Sequence, residues 1–145
     1  MDCDVCGNEI TACCEHCPYC GAEVEKKHVH SHMRHRVVNL ERGMPLVSQA
    51  LQRMDQEILL SKSVHCQVIT FIHGYGSSGK GGAIKQEARA RLEFMVTTGA
   101  INSFLAGEDF SSRSGKGRHL LRRFPFLLQH RDLNRSNRGI TLVIL

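Results

Sequence analysis

The sequence contains no apolar run approaching the roughly 20 residues that a membrane-spanning helix needs, and its first residues, Met1-Asp2-Cys3-Asp4, lack the positive and then apolar stretch of a secretory signal. A cytoplasmic protein with no membrane partner is therefore expected. Acidic side chains are the scarcer charge, 14 Asp and Glu against 19 Lys and Arg, and the resulting +5 fits a polyanionic partner. Length is limited too: 145 residues leave room for one ordinary domain and a small module, not for two large domains. Beyond residue 20 cysteine is nearly absent, and the lone Cys66 reads as a small core residue.

What is present is concentrated. Six of the seven cysteines lie between residues 3 and 20. Without signs of secretion, such clustering favours metal ligation over disulfides. Cys3-Asp4-Val5-Cys6-Gly7 and Cys17-Pro18-Tyr19-Cys20-Gly21 are two C-x-x-C-G knuckles separated by ten residues. Two tight turns of this kind can present four thiolates to one tetrahedral zinc ion, with each glycine letting the chain turn beneath the metal. Cys3, Cys6, Cys17 and Cys20 are the preferred ligands, with Cys13, Cys14 and His16 as alternatives. A closed four-thiolate site has no open position for catalysis, so the zinc is expected to be structural. Residues 1–27 carry six acidic and two basic side chains, which argues against phosphate binding and for stabilisation or docking on a protein partner.

Residues 28–35, with His28, His30, His32 and His35, show neither helical nor strand periodicity and read as a polar linker. From residue 36 strand and helix patterns alternate. Val37 to Leu40 is β-prone. A helix follows, with Pro45 near its first turn and Leu46, Val47, Ala50, Leu51, Met54 and Ile58 on one face. Cys66 to Ile72 reads as a central strand. A second helix buries Ile84, Ala88, Leu92 and Met95 and stops at Gly99; strands are predicted at Ile101 to Leu105 and Ile140 to Leu145. Between the last two strands lies an insertion, 107–138, in which Leu120, Leu121, Phe124, Phe126 and Leu127 suggest a short helix or turn docked by its apolar side. From Glu108 to Arg138 there are eight basic and three acidic residues, while the rest of the chain balances 11 against 11. His119 and His130 are expected to add positive charge at lower pH.

The run Ile69-Thr70-Phe71-Ile72-His73-Gly74-Tyr75-Gly76, the helix after it and the final strand from Gly139 to Leu145 resemble the Smr domain, a small domain related to part of the mismatch-repair-like proteins. The resemblance covers residues 36–145 and implies a two-layer α/β sandwich of order β-α-β-α-β-β that binds DNA or RNA and in some members cleaves it. The family's Leu-Asp-x-His-Gly at the end of the first strand is replaced here by Val38-Asn39-Leu40-Glu41-Arg42-Gly43. His73 is then the candidate catalytic residue, with Glu41 as a candidate base or ligand for a divalent ion. Backbone N–H groups around Gly74, Gly76 and Gly79, the start of the next helix, and Lys80 and Lys85 would seat a phosphate. Arg113, Lys116, Arg118, Arg122 and Arg123 would extend that surface. Gly74-x4-Gly79-Lys80 also matches part of a nucleotide-binding P-loop, but Gly81 stands where Ser or Thr should hold Mg²⁺, so nucleotide hydrolysis is not expected. Three functions remain: nucleic-acid binding, an endonuclease using His73, and an adaptor docking through the zinc module.

Overall fold

The structure is a computed structural model, and it describes residues 3, 5–10, 16–23, 34–75 and 82–145. The chain divides into two units, Met1–His32 and Met33–Leu145. No helix among the described residues is long and apolar enough to cross a membrane.

The second unit is a mixed α/β domain. Its elements run β1 (His35–Asn39), α1 (Val47–Ser63), β2 (Val68–Ile72), α2 (Ala83–Thr98), β3 (Ser103–Ala106), α3 (Gly115–Arg123) and β4 (Ile140–Ile144), with 3-10 turns at Gly107–Asp109 and Pro125–Gln129. The four strands form one sheet in the order β1-β2-β4-β3, with β1 parallel to β2 and β4 antiparallel to both of its neighbours. All five residues of β4 and the first four of β2 are buried, as strands at the centre of a sheet must be when both faces are covered.

One face packs against α1 and α2. Ile69, Phe71 and Val143 meet Ala50, Met54, Ile58, Ala88 and Leu92, with Ile84 and Met95 partly buried around them. Pro45 precedes α1, and the Gln49 side chain closes the helix start by accepting from the Leu46 N–H at 3.0 Å; Leu46 itself is exposed rather than on the buried stripe. Arg91 of α2 is clamped by both carboxylate oxygens of Asp55 of α1, with Nε at 2.7 Å from Oδ1.

The other face is where the expected two layers become three. Val68, Ile140, Leu142 and Ile144 are buried against Phe110, Leu120, Leu121, Phe124 and Leu127 of the insertion. The physical reason is that β2 and β4, apart from Thr70 and Thr141, carry apolar side chains toward both faces: side chains alternate between faces, so such a strand needs cover on both sides. Ser114 starts α3 by accepting from the Gly117 N–H at 2.9 Å, which fixes the helix whose apolar side supplies that cover. His35, assigned to the linker from sequence, is the first residue of β1, because it pairs with Val68 while the Arg34 carbonyl accepts from Gln67 and Val68 N–H at 3.2 and 3.0 Å.

Candidate functional site

In the first unit the two cysteine knuckles are built alike. Cys3 N–H donates to the Asn8 carbonyl and Gly7 N–H to the Cys3 carbonyl, at 2.9 and 2.8 Å; Cys17 N–H donates to Ala22 and Gly21 N–H to Cys17, each at 2.9 Å. Gly7 and Gly21 sit at φ 72° and 71°, a conformation costly for any residue with a Cβ. The repeated turn brings the sulfurs of Cys3, Cys6, Cys17 and Cys20 within 4.8 Å of one another. Cys3 and Cys20 sulfurs are 3.7 Å apart, and Cys6 and Cys17 sulfurs 3.6 Å. Ligands about 2.3 Å from a tetrahedral ion stand about 3.8 Å from each other, so this arrangement fits a metal ion at its centre. The Asn8 N–H draws the Cys6 thiol down to about 6, favouring the thiolate. The Cys20 thiol, despite the Ala22 N–H, is pushed up to about 12 by lost solvation and three sulfur neighbours. Cys13 and Cys14, weighed as alternative ligands, lie outside the described residues, and His16 instead pairs as an isolated antiparallel bridge with Glu23.

In the α/β domain the strand end of β2 delivers His73, which is 3% exposed. Its Nδ1 lies 2.6 Å from the Gly74 carbonyl, which can only accept, so the proton sits on Nδ1. Arg89 Nε donates to Thr141 Oγ1 at 3.3 Å, leaving the Thr141 hydroxyl to donate to His73 Nε2 at 2.8 Å. Burial lowers the His73 pKa, and the Arg89 and Lys85 charges add to that against the opposing Gly74 hydrogen bond and Glu108. The imidazole is therefore neutral at pH 7, with both nitrogens engaged.

Behind it stands an ion network. Glu108 meets Lys85 at 2.9 Å and Arg89 at 3.1 Å. Burial would raise the Glu108 carboxyl, but hydrogen bonds from Lys85 and Arg89 outweigh it and hold the pKa down to about 2. Lys85, expected to contact phosphate, is thus committed to Glu108, because one turn of α2 places it and Arg89 on the same side facing the turn at Gly107–Asp109.

Glu41 and the glycine turn do meet. Asn39 accepts from the Glu41 N–H at 2.9 Å and so shapes the turn after β1. Gly74 has φ +69°, and a Cβ there would overlap the Glu41 carboxylate. The N–H groups of His73 and Gly74 both donate to the Gly139 carbonyl, at 2.9 and 3.1 Å, which ties the turn to the end of the basic segment. There Tyr75, Asp132, Arg135, Ser136, Asn137 and Arg138 line an open cleft of about 510 Å³. Asn134 and Ser136 hold positive φ on either side of Arg135, 65° and 51°. Gly76, Gly79 and Lys80 lie outside the described residues. Arg113, Lys116, Arg118, Arg122 and Arg123 are all exposed on or beside α3, with Arg123 also stacked 5.0 Å over the Phe124 ring.

Sequence reasoning missed a second histidine cluster on the insertion side of the sheet. Asp132 N–H donates to His130 Nδ1 at 3.0 Å, so the His130 proton is on Nε2, 2.9 Å from Thr70 Oγ1. Thr70 then donates to His35 Nε2 at 2.8 Å. Burial lowers both histidines, His35 to about 4 with help from His130. His130, half-buried against the Phe110 ring at 4.9 Å, therefore takes up its proton at lower pH than an ordinary histidine. Arg89, Glu108 and Thr141 were also missed; polar residues at alternate positions of otherwise apolar strands, Thr70 and Thr141, were the available signal. The chain matches no family model, no curated protein and no solved structure.

Proposed function

We propose that the α/β domain is an Smr-type nucleic-acid-binding domain that grips the phosphodiester backbone where the turn after β2 meets the end of the basic segment. The observation that carries this is the cleft in which Tyr75 stands with Arg135 and Arg138, all exposed. Guanidinium groups supply paired donors for phosphate oxygens, and an exposed tyrosine offers a stacking face. The charge concentrated in the insertion supports the same reading. Fluorescence anisotropy with labelled oligonucleotides at about 50 and about 200 mM salt tests it. Affinity should fall steeply with salt, and the double substitution R135A/R138A should flatten the logarithmic slope by roughly 1.8 on duplex DNA, or about 0.9 per phosphate contact, and by roughly 1.4 on single strands, or about 0.7 per contact. An unchanged slope in the variant would dismiss this cleft.

Binding stands ahead of cleavage because both nitrogens of His73 are satisfied inside the protein. Glu41, poised over Gly74, is the group through which an endonuclease would hold a divalent ion or activate water. In the N-terminal unit the four thiolates hold zinc, which stabilises the knuckles and leaves their surface for a protein partner. Metal analysis of purified protein should return about one zinc per chain for one four-thiolate site; finding no zinc would overturn this assignment.

A further inference from the structure

Backbone binding leaves unused a second cavity, of about 390 Å³, on the insertion side of the sheet. Its lining is mainly apolar, with Val37, Ile72 and Ile140 beneath the His35, Thr70 and His130 cluster. That volume lies in the range of pockets that enclose small organic ligands.

The polar groups around it are directional. The hydrogen bonds run from Asp132 N–H through His130 and Thr70 to His35 Nε2, which leaves the His35 proton on Nδ1. Among the described residues nothing accepts from that Nδ1. The Asp132 carboxylate gives one oxygen to the Asn137 amide at 3.1 Å and keeps the other as an acceptor. The exposed Gln129 amide offers both a donor and an acceptor. A flat apolar ligand whose edge carries donors and acceptors matches this set.

The cavity also adjoins the arginine cleft, since Asp132 and Asn137 line both. An occupant that fills both spaces has a flat, hydrogen-bonding part in one and an anionic part beside Arg135 and Arg138 in the other. A nucleotide unit has that composition. In a duplex the base edge is paired and stacked, so only an unstacked base can enter a side pocket.

Resting on the backbone-binding reading above, we propose that this cavity receives one unstacked nucleobase of a strand whose phosphates lie at Arg135 and Arg138, making unpaired nucleic acid the preferred substrate class. The full chain is titrated by anisotropy with single-stranded RNA and DNA of about 12 nucleotides, the corresponding duplexes, and an abasic DNA strand of the same length. A base-bearing strand should bind about tenfold more tightly than the abasic strand, and more tightly than its duplex. Val37→Trp fills the cavity from a side chain that is 58% exposed, so the fold should tolerate it. It should remove the part of that advantage that does not come from stacking on Tyr75, while leaving abasic affinity unchanged. Gln129→Ala should reduce the same advantage in part. Equal affinity of wild type for base-bearing and abasic strands overturns the pocket but leaves the arginine cleft standing. Absence of binding to every strand removes both.

Discussion

Thr141 and Thr70 perform the same task on opposite faces of one sheet. In the antiparallel register Thr141 stands opposite Phe71 on the α1 and α2 side, while Thr70 stands opposite Leu142 on the insertion side. Each hydroxyl joins histidine to its surroundings, but the settings differ. His73 is sealed, with Arg89 and Glu108 behind its threonine. His35 and His130 are half-buried and open onto a cavity. Identical chemistry thus closes a core on one face and lines a pocket on the other; what decides between them is whether water or a ligand can take a partner's place.

Acidification should have the largest effect, because it acts on both faces together. All three histidines have folded pKa values below the ordinary 6.5, so the unfolded chain binds protons first. Stability is complete above about 6.5, falls as pH drops through the window down to about 4 for His35, and falls further below about 4.5 as Glu108, held down to about 2, loses its advantage. Thermal melts from pH 7.5 to 4 check this; a flat profile would contradict the burial of these imidazoles. Second, Thr141→Val should cost about 2 to 3 kcal/mol in urea denaturation, since it strands a buried imidazole nitrogen and an arginine N–H where water cannot replace the hydroxyl. Third and smallest, Thr70→Val should cost about 1 kcal/mol, because water in the adjoining cavity can satisfy the two imidazoles. Equal costs for the two threonines would erase the distinction between the faces.

The elements were legible wherever periodicity alone decides. The stripe of Ala88 and Leu92 with Ile84 and Met95 at its edges is buried as its helical spacing predicts, and the knuckle cysteines gather as their spacing requires. Layering was not legible, because an apolar strand announces that both faces are covered without saying by what. Leu120, Leu121 and Phe124 were read as a docked side, yet the face they dock on emerges only once β4 lies between β2 and β3. The site was half legible. Glu41 and the glycine turn come together from the resemblance to a known motif, whereas Lys85 looked available until Glu108, 23 residues later, was seen to hold it. Contacts between charges so far apart in the chain are set by folding and leave no periodic trace.

The placement of Ile140–Ile144 has a consequence for synthesis. This strand follows the other described elements of the domain in the chain yet occupies the interior of the sheet, between β2 and β3. On the ribosome β1 and β2 can pair early, but β3 waits without a hydrogen-bonding neighbour and the apolar side of α3 without its seat. The nascent polypeptide therefore carries an open sheet edge until Ile140–Ile144 clears the exit tunnel, and an unpaired edge of that kind is open to pairing with another chain.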